Sequence, residues 1–288
     1  HAAPTFESHI VTDTPTMLYR SIVALALVGS AASFSLQGAA RLTTPQRSTG
    51  LVMDEAAAGP LASDIWDSSP SVKVQGSTLK TWDIGEESTQ RVQLSLRSSG
   101  RPIDANVELW HTPSYIPTKF RIYTENGESR PVDAIIETPK HPKTVAVYNT
   151  GSMEFPFDAT VANTGLAKAY DSLADVDGAL VQGGQITSYT FPAEVESVQV
   201  LLKTNERNMK ALIELTQGPN QVKQFIEVYA SVGYKNPFYC VIQTPGSNNA
   251  IRIINQNTVE FPFDAWVLPY EEGAEGADDV VMGGGGRF

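Results

Sequence analysis

The chain has 288 residues, 41% of them hydrophobic and 18% charged, which supplies a packed core and length for two ordinary domains. Its formal net charge is −11, and without the first 53 residues 18 basic side chains face 30 acidic ones, a balance that repels phosphate backbones and argues against nucleic-acid binding. A single cysteine, Cys240, excludes an intrachain disulfide and a cysteine-rich zinc site.

Residues 1–53 read as a targeting leader. Nothing in the sequence accounts for residues 1–16. Met17-Leu-Tyr-Arg20 opens a basic stretch, and the apolar run Ile22–Ala32 that follows is too short to span a bilayer, so 17–33 has the build of a signal peptide. Residues 34–53 carry Arg41 and Arg47, several hydroxyl side chains and no acid, the composition of a transit peptide. Ala32-Ser33-Phe34 at the junction resembles the motif of diatom and related secondary plastids, in which Phe begins the transit peptide. A plain secretory signal with an unstructured segment behind it is the alternative. Residues 54–73 are expected as a linker, and no later segment is apolar enough for membrane insertion.

An internal duplication organises the rest. Glu154-Phe155-Pro156-Phe157-Asp158-Ala159 returns 106 residues later as Glu260-Phe261-Pro262-Phe263-Asp264-Ala265. At that shift 22 of the 70 positions from 92 to 161 are identical, and at a shift of 107 Val74-Gln75-Gly76 meets Val181-Gln182-Gly183. Apolar residues alternate with polar ones in both copies: Val92, Leu94 and Leu96 match Val198, Val200 and Leu202, and Ala105, Val107 and Leu109 match Ala211, Ile213 and Leu215. Period-two alternation with the same parity buries the same strand face twice. Turn signals at Ser98-Ser-Gly100, Asn126-Gly127 and Asn149-Thr-Gly151 separate about seven strands per copy, near 74–82, 91–97, 104–110, 118–124, 132–137, 143–149 and 155–161. A short helix is expected over 166–173. The fold class is all-β, mainly antiparallel, as two tandem homologous β-sandwich-like domains over 74–170 and 171–270. An acidic, glycine-rich tail follows over 271–288.

Three features are candidates for contact. The repeated hexapeptide sets proline between two aromatics, which suits an edge or a kinked last strand; both rings are expected to seal the core while the acids satisfy turn amides, with direct contact as the second reading. On the predicted outward face Lys119 becomes Phe225, Asp133 becomes Tyr239, Tyr148 becomes Ile254 and Thr160 becomes Trp266 in the second copy. Phe225, Tyr239, Ile254 and Trp266 are therefore expected either to form an association surface or to pack between the copies. Val280-Val281-Met282 in the tail echoes the start of the second copy and is expected either to fray or to add as a strand to a neighbour's sheet edge.

No catalytic constellation emerges. His111 and His141 face Gln217 and Ser247 in the other copy, and no spaced ligands accompany them. Cys240 lies between Tyr239 and Val241 at a small apolar core position without a basic neighbour. The glycine clusters lack the strand and helix of a nucleotide loop. No enzyme activity, cofactor or metal is expected.

The leader, the tandem copies and the paired Glu-Phe-Pro-Phe-Asp-Ala motifs together resemble the diatom pyrenoid shell proteins, over essentially Val74 to Tyr270. The resemblance implies a protein of the chloroplast stroma at the pyrenoid periphery that assembles with itself into a sheet around the Rubisco condensate, supporting CO2 concentration and fixation. It implies further copies of the same chain as partners, with Rubisco or other pyrenoid proteins in second place. The rival reading is a tandem β-sandwich that binds a glycan or peptide, with Trp110, Tyr115 and Tyr123 as a stacking platform.

Overall fold

The computed structural model describes residues 61, 65–112, 114–163, 166, 170, 173 and 176–272. Contacts divide the chain into two compact units, 1–52 and 53–288, and every described residue lies in the second. The leader and Val280, Val281 and Met282 lie outside the described residues.

A four-residue helix, α1 (Ile65–Ser68), precedes the strands of the first copy: β1 (Val72–Val74), β2 (Leu79–Asp83), β3 (Arg91–Arg97), β4 (Ile103–Trp110), β5 (Thr118–Thr124), β6 (Val132–Glu137), β7 (Thr144–Asn149) and β8 (Phe157–Ala162). The second copy repeats them as β9 (Ala179–Val181), β10 (Ile186–Thr190), β11 (Val195–Lys203), β12 (Met209–Gln217), β13 (Val222–Ala230), β14 (Phe238–Gln243), β15 (Asn249–Asn255) and β16 (Phe263–Glu272). The described chain is thus almost entirely antiparallel β. Most of the helix expected over 166–173 falls on residues outside the described set.

Each copy has eight strands where seven were expected, because the run 74–82 breaks into β1 and β2. The break has a steric cause. A β-carbon on Gly76 would strike the Ser152 carbonyl oxygen, and one on Gly183 would strike that of Thr258, so the repeated Val-Gln-Gly needs glycine for close backbone approach. Next to each glycine the chain turns left-handed, at Ser77 (φ 59°) and Gly184 (φ 76°), and passes from one sheet to the other.

The two copies share both sheets rather than closing separately. Sheet A runs β1-β8-β3-β6-β14-β11-β16-β9 and sheet B runs β10-β15-β12-β13-β5-β4-β7-β2. Each copy supplies four adjacent strands to each sheet. Alone, a copy would leave β5 and β6 as open central edges; pairing β5 with β13 and β6 with β14 satisfies their backbone groups. The registers define a pseudo-twofold axis. In sheet A it passes between Ala134 and Cys240, and in sheet B between Arg121 and Glu227, each pair being equivalent positions of the repeat. One continuous core lies between the sheets and takes residues from both copies, with Phe120 of β5 against Phe238 of β14 at 5.1 Å between ring centroids.

The hexapeptide also finds its place. Pro156 and Pro262 sit just before β8 and β16, outside the ladder, so the motif opens the last strand of each copy, and neither strand is an edge: each has a partner on both sides. Phe157 and Phe263 are fully buried in the core, as expected, while Phe155 and Phe261 are half-buried. The acids do not satisfy turn amides as expected. Glu154 and Glu260 are exposed, and Asp158 pairs with Lys73 at 3.0 Å. A buried asparagine supplies the polar tie instead. Asn149 Nδ2 donates to the carbonyls of Val74 (3.1 Å) and Phe155 (2.9 Å), and Asn255 Nδ2 does the same to Val181 (3.0 Å) and Phe261 (2.9 Å).

Candidate functional surface

The outer faces of the two sheets differ, and the difference decides which residues remain available for contact. Over sheet A the chain folds back on itself. Leu166 and Leu173, from the connection between the copies, are buried against Ile135, Leu201, Tyr239 and Val241, with Leu61, Tyr170, Trp266, Leu268 and Tyr270 packed around them. A polar tie holds that connection down. Glu137 Oε1 accepts from Arg91 Nε (2.6 Å) and from Tyr170 Oη (2.7 Å), Arg91 Nη1 donates to the Leu166 carbonyl (3.1 Å), and the guanidinium lies 4.5 Å from the Tyr170 ring centroid. Its repeat equivalents are Ser197 and Gln243, so the tie exists in one half only.

The sheet A cover packs two of the candidate residues, Tyr239 and Trp266, within the chain, which is the second of the two expectations for them. Tyr239 is fully buried, with its hydroxyl donating to Gln199 Oε1 at 3.2 Å. Trp266 is half-buried beneath the chain's own Val176–Gly178: its Nε1 donates to the Val176 carbonyl (2.8 Å), and its ring leaves no room for a side chain at Gly178. Both residues do point outward from the sheet, as their parity requires; the connection then covers them. Burial also pushes the Asp133 carboxyl up to about 6, against a hydrogen bond from Ser95 Oγ that favours the ionised form; the nearby Glu271 pushes it further up.

The outer face of sheet B carries no such layer among the described residues. One residue from each of its eight strands forms a row across it: Leu79, Tyr148, Asn106, Arg121, Glu227, Leu212, Ile254 and Ile186. Its middle is charged and its ends apolar, with Leu79 46% and Ile186 53% exposed. Ile254, half-buried, belongs to this row. Phe225 stands on the same face, half-buried, stacked on Tyr123 with ring centroids 5.6 Å apart. A depression over the pseudo-twofold axis is lined by Lys119, Arg121, Lys210, Glu108, Glu227 and Tyr229 among others, a mixture of both charges.

No stacking platform of the expected kind forms. Tyr123 stands opposite Asp104, six residues along β4 from Trp110, a separation of about 20 Å. Tyr115 stacks on His111 instead, at 5.9 Å. His111 itself is buried, its Nδ1 3.1 Å from the Pro142 carbonyl, and desolvation lowers its pKa. Cys240 is fully buried on the pseudo-twofold axis, and burial holds its thiol protonated. Among the described residues no three His, Cys, Asp or Glu side chains gather as a metal site, and no helix is long and apolar enough to cross a membrane.

A model of the diatom pyrenoid shell proteins matches residues 66–269, well over half of the chain. The chain belongs to the diatom pyrenoid shell protein family. The match begins within α1 and ends within β16, so the family unit is the whole sixteen-strand sandwich rather than one copy of the repeat. A search of curated proteins finds no match. For a pyrenoid shell protein the informative surfaces are those left open by the fold: the outer face of sheet B and the two lateral ends of the sandwich.

The sequence placed Phe225 and Ile254 on this face and missed the sheet A cover. A signal for the cover existed: Arg91 and Glu137 face each other in register on β3 and β6, and both lose their charge together in the second copy.

Proposed function

We propose that this chain is a non-catalytic structural protein that assembles with copies of itself into a sheet-like shell around the Rubisco-containing pyrenoid. The shell lies at the pyrenoid periphery in the chloroplast stroma and supports CO2 concentration and fixation by confining Rubisco. The observation that carries this reading is the family match over residues 66–269, joined to a fold with one sealed and one open face. A pseudo-twofold sandwich with unlike surfaces suits repeated, non-closing contacts between identical chains. Other copies of the chain are its principal partners, and Rubisco or another pyrenoid protein would meet one face of the sheet.

The test is sedimentation velocity and electron microscopy of the purified chain from Asp54 onward. Large assemblies resolving as sheets or tubes support the reading. A sharp monomer at every concentration, together with affinity for a glycan or peptide, overturns it in favour of a binding module.

A further inference from the structure

We infer that copies of this chain join through their lateral strands, β2 of one copy pairing antiparallel with β10 of the next so that sheet B continues from molecule to molecule. This rests on the self-assembly reading and names the contact that carries it.

The hydrogen-bond parity of the two strands is the starting point. Along β2, the Thr78 carbonyl accepts from Asn149 N and Ile84 N donates to the Lys143 carbonyl, both at 3.0 Å. In an antiparallel ladder alternate residues bond to the same side, so Lys80 and Trp82 also bond toward β7, and the amides and carbonyls of Leu79, Thr81 and Asp83 point away from the sheet. Along β10, the Gln185 carbonyl accepts from Asn255 N (3.0 Å) and Phe191 N donates to the Asn249 carbonyl (3.2 Å). Thr187 and Tyr189 therefore bond toward β15, and Ile186, Ser188 and Thr190 point their backbone groups away. Each end of sheet B thus presents three residues with outward backbone groups, and among the described residues no strand pairs with them.

The two edges fit one another. Sheet B has eight strands, every neighbouring pair antiparallel, so its two end strands run in opposite directions. A second copy translated beyond β2 brings its β10 up antiparallel, and the alternation continues. Full overlap sets Leu79 opposite Thr190, Thr81 opposite Ser188 and Asp83 opposite Ile186, three hydrogen-bonded pairs that exchange six backbone bonds. The pseudo-twofold axis sends β2 and β10 to opposite sides of the row through Leu79 and Ile186. Overlap therefore requires a slip of about four residues, roughly 14 Å along the strands, and successive copies step diagonally.

Edges that must stay single are usually blocked by lysine, proline, a bulge or extreme shortness. In sheet A the ends β1 and β9 are three residues long. In sheet B, β10 reads Ile-Thr-Ser-Tyr-Thr over five residues, without a charge, a proline, a glycine or a register shift, while β2, Leu-Lys-Thr-Trp-Asp, is equally long and regular but carries Lys80 and Asp83. The contact joins unlike strands, so it leaves a free edge of each kind at the ends of a growing row and does not close.

Two proline variants of the chain from Asp54 onward test this. Ser188→Pro and Thr81→Pro each delete one outward N–H without removing a bond inside the sheet. Each variant alone is expected to sediment as a monomer. An equimolar mixture is expected to give a one-to-one dimer, through the intact β2 of one and the intact β10 of the other. Dimers formed by either variant alone indicate like-with-like pairing and overturn the inference, as does wild-type assembly by both variants, which leaves the self-assembly reading intact. A monomeric wild type removes that reading and this contact together. As a second measurement, Thr81→Cys and Ser188→Cys proteins are mixed and oxidised: cross-links between unlike variants are expected, and links only between like ones overturn the pairing.

Discussion

Ala134 and Cys240 face each other across the central strand pair of sheet A and occupy the same position of the repeat. Each is fully buried, so the junction between the copies is core, built like the interior of either half. Ala134→Leu forces extra volume into that junction and is expected to cost about 1–3 kcal/mol. Because one hydrophobic cluster spans both copies, calorimetry is expected to show a single transition at lower temperature for the variant. Two resolved transitions in either protein would mean that the halves fold separately.

Asn149 and Asn255 carry the second prediction. Each buried amide ties the carbonyl of a lateral strand to the carbonyl of the first aromatic in the repeated hexapeptide. Replacing either by Ala strands two acceptors, at a cost of about 2–4 kcal/mol. The two variants should lose stability nearly equally in urea titrations, because the pseudo-twofold axis gives them the same surroundings. An effect confined to one would show that the equivalence stops at the backbone.

Asp133 gives a pH dependence of unusual sign for a carboxylate. Its pKa is pushed up to about 6 in the folded chain from an ordinary 3.8, chiefly by desolvation. Between these values the folded state binds more protons than the unfolded one, so this group's contribution to stability falls as pH rises from about 4 to about 6, then levels off. The difference of about two pKa units corresponds to about 3 kcal/mol. Asp133→Asn keeps an acceptor for Ser95 and removes the buried charge. It is expected to raise the melting temperature at pH 8 and to flatten the slope between pH 4 and 6. Unchanged melting curves would mean that water reaches Asp133.

The strands were legible because burial alternates along them: Ile103, Ala105, Val107 and Leu109 are buried on β4, and the residues between are half-buried. The duplication was legible in Glu-Phe-Pro-Phe-Asp-Ala. What the pattern does not encode is which edges meet. Period-two alternation looks the same in two separate sandwiches and in one shared by both copies, since β5 and β6 bury the same faces either way. The cover over sheet A was hidden for a related reason: an outward apolar side chain such as Tyr239 looks like a docking surface until the segment that lands on it is known.

That distinction separates two residues that sequence reasoning had grouped together. Trp266 is held beneath Val176–Gly178 by its indole hydrogen bond, so Trp266→Ala removes packing and a partner from within one chain. It is expected to lower monomer stability by about 2 kcal/mol, and to increase protease cleavage in the connection between the copies, by loosening the cover. Ile254 stands on the outer face of sheet B, which no described residue covers, between Leu212 and Ile186. Ile254→Asp is expected to leave the monomer's melting temperature within a few degrees of wild type while interrupting the apolar end of the row, and thereby to weaken assembly seen by sedimentation. The two readouts together discriminate. If Trp266→Ala abolished assembly without loosening the monomer while Ile254→Asp assembled normally, the contact surface would lie over sheet A and the cover would have to open to admit a neighbour.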